Sequence, residues 1–160
     1  MNVSTLPVAG LIAAALSLTS CDSSIVFQQP KTDSGYDYFH HVNNGGEKPE
    51  SGDYAYCYID MRNGERLVNT NRNSGKLAKL KIADLPEGVK ISPVVDALKL
   101  MSIGDSLTVN YPIASLQDKP KGFETADFIY YDIKLIDIKS DSEYKADFKA
   151  RWKKATASLN

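Results

Sequence analysis

The chain has 160 residues, of which 24% are charged and 42% are hydrophobic, and its formal net charge is −1. This length suits one globular domain with a core of its own. The near-neutral charge excludes the strong electrostatic attraction on which nucleic-acid-binding proteins rely, so no nucleic-acid partner is expected. The basic residues near the C-terminus are interpreted as a solvated helix face; they are Lys149, Arg151, Lys153 and Lys154.

The first twenty residues contain no charged side chain, and an apolar run extends from Leu6 to Leu18. A helix of this length is too short to cross a hydrocarbon core of about 30 Å. The run is typical of an export signal, although no Lys or Arg precedes it. We therefore predict a signal peptide at residues 1–20.

The apolar run ends in Leu18-Thr19-Ser20-Cys21. This segment resembles the bacterial lipobox, in which two small residues precede the Cys that receives a lipid. The resemblance implies a lipoprotein of the bacterial cell envelope, periplasmic or surface-facing, anchored to the membrane through acyl chains on Cys21 at about 0.8 kcal/mol per buried methylene. The alternative is an ordinary secretory signal with an incidental Cys. Residues 21–35 are polar and rich in turn formers, and are interpreted as the lipidated Cys and a flexible tether.

The remaining candidates for reactive or metal-binding side chains are few. Once Cys21 carries a lipid, Cys57 is the remaining thiol, so no intramolecular disulfide is expected. Cys57 lies in an alternating pattern and is predicted to be a small buried hydrophobe. His40 and His41 are adjacent in a predicted strand, so their side chains point to opposite faces and cannot jointly hold a metal. We predict no metal site and no cofactor.

Alternating patterns predict strands through the first part of the domain, at residues 36–42, 54–61, 65–70 and 76–83. The dipeptide Asn63-Gly64 predicts a hairpin turn between the second and third of these. The strand residues predicted to share an inner face are Ala55, Cys57, Ile59 and Met61, and then Ala78, Leu80 and Ile82.

The period becomes helical after residue 90. Ser92 is a candidate N-cap, Pro93 fits the first helical position, and Gly104 can end a helix of about three turns in a left-handed conformation. Strands are predicted at residues 106–113 and 127–139, followed by a C-terminal amphipathic helix over residues 140–160. Its apolar stripe is predicted to pack on the domain, with a dimer contact as the alternative; the stripe consists of Tyr144, Phe148, Trp152 and Ala155.

The order of these elements and several short motifs in residues 36–139 resemble the FKBP-type peptidyl-prolyl isomerases. The motifs are NNGGEKPESGD, YIDMRNG, MSIGD, LTVNYP and YYDIKLIDI. The resemblance implies an α+β fold, in which a twisted antiparallel sheet wraps around one short helix. It also implies catalysis of X-Pro isomerisation, which requires no nucleophile, metal or cofactor. Instead, an apolar pocket surrounds the proline ring and favours the twisted amide.

The resemblance places three residues of this chain close to the family pattern. Tyr58 stands at or beside the tyrosine of the pocket wall. Ile91 stands at the helix entry, where its backbone N–H would contact a substrate carbonyl. Tyr131 takes the place of a Phe on the last strand. Together these positions predict an apolar pocket that accepts a proline ring.

Other pocket positions depart from the family pattern. Leu67 replaces an aromatic residue, Val68 replaces an Asp, and Val94 replaces the Trp of the pocket floor. The Ala-Tyr-Gly motif of the long loop is missing, and the large apolar residues of that loop are Leu116 and Phe123. Losing interactions worth about 1–3 kcal/mol in the transition state would slow turnover roughly ten- to hundredfold.

The sequence therefore predicts a membrane-anchored FKBP-type isomerase of low activity that assists folding in the cell envelope. Its expected partners are proline-containing or unfolded polypeptide segments, and the membrane through the lipid. One alternative is a non-catalytic peptide-binding or chaperone module on the same fold. Another is a subunit of an envelope complex, or a homodimer, that uses the C-terminal helix for contact. No catalytic side chain is assigned.

Overall fold

The computed structural model describes residues 29–86 and 88–157. The predicted signal peptide, Cys21 and the first part of the tether lie outside the described residues. None of the helices in the described ranges is long and apolar enough to cross a membrane. The elements are β1 (Tyr38–Val42), β2 (Tyr54–Asn63), β3 (Arg66–Thr70), β4 (Ala78–Lys81), α1 (Pro93–Leu98), β5 (Ser106–Pro112), β6 (Phe128–Lys139) and α2 (Asp141–Ala157), with a 3₁₀ turn at Arg72–Ser74.

All six strands belong to one antiparallel sheet with the order β1-β5-β6-β2-β3, while β4 pairs with the first half of β2. The two long strands β2 and β6 pair from Tyr54 with Lys139 to Arg62 with Tyr130. A register shift between Tyr56 and Cys57 marks a bulge in this pairing. The antiparallel sheet with one internal helix and a C-terminal helix confirms the predicted α+β class.

The main core lies between one face of the sheet and α1. Ala55 and Cys57 are fully buried, and Ile59 packs against them, as the alternation in β2 predicts. Burial raises the pKa of the Cys57 thiol to about 12. Cys57 is therefore a neutral packed side chain at physiological pH, as predicted. The other fully or nearly fully buried members are Ile82, Val94, Ala97, Leu98, Met101, Leu107, Val109, Ile133 and Leu135.

Helix α1 is shorter than predicted. It starts at Pro93 with Ser92 in the N-cap position, although the Ser92 side chain makes no capping hydrogen bond. It ends at Leu98, because the N–H groups of residues 100 and 101 bond to carbonyls three residues back and tighten the chain. Gly104 does have a left-handed φ of +88°. Its N–H donates to the Leu135 carbonyl at 2.9 Å, so it belongs to the turn into β5 rather than to the helix end.

The turn that leads into β5 is closed by a buried carboxylate. Asp105 is fully buried and accepts hydrogen bonds from the N–H groups of Ser102 at 2.8 Å and Asn44 at 2.7 Å. Burial alone would raise the pKa of Asp105, but these hydrogen bonds lower it below its usual value. The ionised side chain therefore ties the glycine-rich loop after β1 to the turn.

The hairpin between β2 and β3 forms as predicted, with its centre displaced by one residue. Asn63 is the last residue of β2 and pairs with Arg66, so the two central residues are Gly64 and Glu65. Gly64 has φ +57°. Glycine at the first central position is typical of two-residue type II′ turns, so Asn63 remains free to extend the strand.

The ordered domain extends to the N-terminal side of Tyr36, into the segment interpreted as a tether. Thr32 is 4% exposed, and its hydroxyl accepts the Tyr36 N–H at 3.1 Å. The Ser34 N–H donates to the buried carboxylate of Asp96 in α1 at 2.9 Å. These contacts hold Tyr36 above the start of α1.

Helix α2 contacts the outer face of the sheet, opposite α1. Tyr144 in its first half stacks on Tyr54 of β2, with ring centroids 3.8 Å apart and planes at 7°. An ion pair between Asp147 and Lys139 follows one turn later. The helix is therefore attached through its first two turns.

The prediction that the whole apolar stripe of α2 packs on the domain is wrong. Beyond Tyr144, Phe148 is 55% exposed and Trp152 is 65% exposed. The stacking and the ion pair that attach α2 to the sheet both come from its first half, so the second half leaves its aromatic side chains in solvent.

Candidate functional site

A groove of about 510 Å³ opens where the chain enters α1. Backbone and side chains from four separate segments line it, and we call it the Ile91 groove. Its lining residues are Ser34, Tyr36, Gly88, Val89, Lys90, Ile91, Tyr111, Pro112, Ser115 and Leu116. The groove has a mixed lining, in which two tyrosines and the side chains of Val89, Ile91, Pro112 and Leu116 lie beside Ser34, Lys90 and Ser115. A groove of this size can hold a small apolar side chain together with the polar backbone on either side of it.

Two tyrosines form one wall of the Ile91 groove. The rings of Tyr36 and Tyr111 meet edge to face, with centroids 5.9 Å apart. The Tyr36 hydroxyl donates to the Ile91 carbonyl at 3.3 Å. Burial, then the nearby Tyr111 and Asp96, raise the pKa of Tyr36, so its hydroxyl stays protonated at neutral pH. This donor fixes the backbone just before α1.

Ile91 is the lining residue that immediately precedes the N-cap of α1. Within residues 29–86 and 88–157, the Ile91 N–H donates no hydrogen bond. Val89 and Leu116 lie beside it with 53% and 39% of their surfaces exposed. Exposed aliphatic side chains next to backbone polar groups are the combination that binds a proline ring and its adjacent carbonyl.

A second apolar region lies on the other side of Tyr111. Ile113, Phe123, Ala126 and Ile129 are buried there, and Met61, Val68, Tyr111 and Tyr131 pack against them. We call this region the Phe123 cluster. Phe123 is 1% exposed. The long loop between β5 and β6 therefore fills this region with its own side chain.

Gly122 attaches the long loop to β3. Its carbonyl accepts hydrogen bonds from the side chains of Asn63 at 3.0 Å and Arg66 at 2.6 Å. Its φ is +88°, and a Cβ at this position would lie 2.9 Å from Val68 Cγ1. A glycine is therefore needed both for the backbone conformation and for the close approach to Val68.

Three of the predicted pocket residues lie in the groove or in the hydrophobic interior of the domain. Ile91 is the one of the three that lines the groove. Val94 is 6% exposed and belongs to the main core. Tyr131 packs against both the main core and the Phe123 cluster, and its pKa is raised by burial and then by Tyr111. Tyr131 thus stands behind the Tyr111 wall.

The other three predicted residues are not brought to the groove. Tyr58 lies on the outer face of the sheet, where the Arg72 guanidinium sits 5.0 Å from its ring centroid. Strand alternation explains this, because its neighbours Cys57 and Ile59 face the core. Leu67 is 53% exposed, and Val68 packs in the Phe123 cluster. The single predicted pocket is therefore divided.

The sequence reading missed Tyr36, Val89 and Tyr111. Tyr111 belongs to the motif LTVNYP, so its position at the end of β5 could have identified it as a candidate wall residue. Tyr36 is held at the groove by the hydrogen bonds of Thr32 and Asp96 described above. No local sequence pattern predicts these hydrogen bonds.

The outer face of the sheet also carries a polar network. Asp60 and Asp132 lie directly opposite each other in β2 and β6. Arg72 pairs with Asp60 at 2.8 Å, and Arg62 pairs with Asp132. Burial would raise the pKa of Asp132, but hydrogen bonds from Arg62 and Thr108 lower it. Both carboxylates are thus held in ion pairs, as expected for a structural network.

The adjacent histidines point to opposite faces of β1, as predicted. The His40 ring lies 5.5 Å from that of Tyr38, whereas His41 Nε2 lies 2.7 Å from the Thr108 hydroxyl. In the part of the chain that the structure describes, no three His, Cys, Asp or Glu residues are grouped as metal ligands.

No family model matches the chain, and no curated protein matches its sequence. Solved structures do match its fold. FkpA from Escherichia coli is 17% identical with a TM-score of 0.51, covering 70% of this chain and 52% of that chain. A peptidyl-prolyl cis-trans isomerase from Pseudomonas syringae pv. tomato is 14% identical with a TM-score of 0.52, covering 69% of this chain and 80% of that chain.

This chain therefore spans about half the length of the FkpA chain. At these identities the likeness is one of fold. The predicted α+β, FKBP-like fold is confirmed.

Proposed function

We propose that this chain is a folding assistant of the bacterial cell envelope, held at the membrane by a lipid on Cys21. The Ile91 groove binds proline-containing or unfolded polypeptide segments and isomerises X-Pro bonds at a low rate. Two kinds of support exist: the FKBP-like fold shared with a solved isomerase, and the lipobox-like Leu18-Thr19-Ser20-Cys21.

The observation that carries the proposal is the position of Ile91 beside the Tyr36 and Tyr111 wall of the groove, with an N–H that donates no hydrogen bond among the described residues. Rotation about an X-Pro bond must break amide conjugation, which costs about 18–20 kcal/mol. A proline ring held against Tyr36, Tyr111 and Leu116 would lose water around its amide. The Ile91 N–H would then hold the neighbouring carbonyl while the twisted amide forms.

The low rate follows from the replaced groups. Val68 supplies no carboxylate and is committed to the Phe123 cluster. Val94 is buried in the core. It stands where the family pattern has a Trp, so the indole that would form the pocket floor is missing. Weakening of transition-state contacts by about 1–3 kcal/mol corresponds to roughly a ten- to hundredfold loss of rate.

A second candidate is a peptide-binding module without isomerase activity. The division of the predicted pocket favours it, since Tyr58 and Leu67 lie away from the Ile91 groove. The groove would still bind an extended apolar segment. Proline would then be one acceptable side chain among several.

A proline-limited refolding assay separates these candidates. The chain from Asp22 to Asn160 is suitable, because the residues of both apolar clusters lie between Tyr36 and Ile138. We expect slow but measurable acceleration of refolding. Rates equal to those of isomerases with a complete family pocket would contradict the divided pocket. Suppression of aggregation with no acceleration would identify the binding module.

The lipid anchor is tested separately. Cys21→Ala removes the thiol that would receive the lipid, so we expect the chain to move from the membrane fraction to the soluble fraction of the envelope. Unchanged partitioning would refute lipidation at Cys21 and leave the groove proposal intact.

A further inference from the structure

From Phe148 onward, α2 presents aromatic side chains that its own domain leaves largely uncovered. The rings of Phe148 and Trp152 stack on each other 6.5 Å apart, and the two side chains are 55% and 65% exposed. They border a groove of about 400 Å³ between α2 and the sheet. The groove is lined by Lys79, Tyr144, Phe148, Arg151, Trp152 and Ala155.

The charges of α2 are separated along its length. Residues 141–147 contain three acidic residues and one basic residue, whereas residues 149–155 contain four basic residues and no acidic one. Helical spacing places Asp147 and Arg151 on the same flank of the aromatic stripe. The same spacing places Lys153 on the opposite side of the helix from the stripe.

From this pattern we infer that α2 pairs with the α2 of a second copy of the chain, antiparallel and across a two-fold axis near Lys149. Such an arrangement lays the acidic half of each helix along the basic half of the other. It brings Asp147, whose carboxylate also pairs with Lys139 of its own domain, against the second copy's Arg151 twice, by symmetry. The exposed Phe148 and Trp152 of both copies meet at the centre and fill the two grooves.

A membrane surface is the less suitable occupant. Helices that lie on anionic lipid carry basic residues along their whole polar face, whereas the first half of α2 carries Asp141, Glu143 and Asp147. A second copy satisfies both halves at once. Self-pairing therefore gives both the acidic and the basic half of α2 an opposite charge, whereas an anionic lipid surface would repel the acidic half.

The interface is small. An aromatic side chain buries about 150–250 Å², so four half-exposed rings supply roughly 400–500 Å². Stable interfaces bury about 1,200–2,000 Å² in total. The dimer is therefore weak in solution and forms at high protein concentration. It does not depend on the proposed isomerase function.

Trp152 is the single tryptophan of the chain, so tryptophan fluorescence reports on this interface alone. We expect the emission of the Asp22–Asn160 chain to shift to shorter wavelength as its concentration rises from about 1 to about 500 µM. Sedimentation over the same range should show a monomer–dimer equilibrium. An emission maximum and a mass that both stay constant would overturn the proposal.

Two matched pairs of variants locate the contact. Arg151→Glu should abolish the concentration-dependent shift in Trp152 emission. Lys153→Glu makes the same charge change on the far side of α2 and should leave that shift unchanged. Phe148→Ala should also abolish dimerisation, whereas Phe39→Ala removes a ring that is 57% exposed on β1 and should not. Circular dichroism verifies that each variant keeps its fold. Equal effects within either pair would refute the antiparallel helix contact.

The lipid alternative is tested at about 1 µM protein, where the dimer is dissociated. Vesicles of anionic phospholipid should leave the Trp152 emission unchanged. A blue shift that appears only with vesicles would assign the stripe to the membrane and contradict self-pairing.

Discussion

The Ile91 groove and the Phe123 cluster lie on either side of Tyr111 and are built from the same long loop. The start of that loop places Leu116 in the groove with 39% of its surface exposed, whereas its end buries Phe123 almost completely. One region is open to a ligand and the other is filled by the chain itself.

This difference follows from the side chains that line each region. Val68 and the aliphatic residues of the loop allow the chain to close over the region next to β3, with Gly122 packed against Val68. The groove at Ile91 stays open because Val89 and Leu116 leave its mouth exposed. We therefore propose that binding occurs in one half of the region for which the family resemblance implies a single pocket.

Phe123→Ala should have the largest effect. Removing a fully buried aromatic side chain leaves a cavity, and we expect a loss of about 3–5 kcal/mol in the free energy of unfolding. Denaturant unfolding measures it. Phe128→Ala, at a position that is 39% exposed, should cost far less. Equal losses would show that the Phe123 cluster is not closed.

Val68→Asp restores the carboxylate that the family pattern has at this position. We expect destabilisation by about 2–4 kcal/mol, because the charge would be placed against Phe123 and beside the Gly122 carbonyl, to which the neighbouring Arg66 already donates. Leu67→Asp is the matched control, since Leu67 is 53% exposed. Thermal unfolding compares the two. A stable Val68→Asp chain with increased isomerase activity would mean that β3 borders an open pocket.

Tyr131 packs against both the Phe123 cluster and the main core, and it links stability to alkaline pH. Its folded pKa is raised by burial above the unfolded value of about 10. Its contribution is therefore fully present below that pH and is lost as the pH rises through the folded pKa. Tyr131→Phe should reduce the alkaline loss of stability and leave the pH dependence near neutrality unchanged. Identical alkaline profiles would place Tyr131 in solvent.

Leu116→Ala should have the smallest effect on stability, within about 0.5 kcal/mol, because its side chain is already partly exposed. It should weaken binding of a proline-containing peptide about fivefold, equivalent to about 1 kcal/mol. Leu85→Ala is the matched control, since Leu85 is 44% exposed and does not line the groove. Titration calorimetry with equal affinities for the two variants would exclude Leu116 from the binding surface.

The strand and core assignments were accessible from sequence because they depend on local alternation. Ala55, Cys57 and Ile82 are buried as their periodicity predicts. The end of α1 was not accessible, since Gly104 is engaged by the Leu135 carbonyl of a distant strand. Element boundaries that are set by tertiary hydrogen bonds leave no local signal.

The candidate site was predicted in part for the same reason. Ile91 was identified through its position before a helix, which is a local feature. The wall formed by Tyr36 depends on a contact between Ser34 and Asp96, 62 residues apart. Whether Leu116 or Phe123 would occupy the pocket could not be decided from composition, since both are large apolar residues of one loop.

The central claim is that an X-Pro segment binds at the Ile91 groove and not beside β3. An isotope-labelled chain can be titrated by NMR with a short peptide that has an aliphatic residue before its proline, and with the same peptide carrying alanine instead. We predict that the proline peptide shifts the amide resonances of Val89, Ile91 and Leu116, while Val68 and Ala126 stay unchanged. Shifts centred on Val68, or no shift at Ile91, would contradict the assignment of binding to this groove.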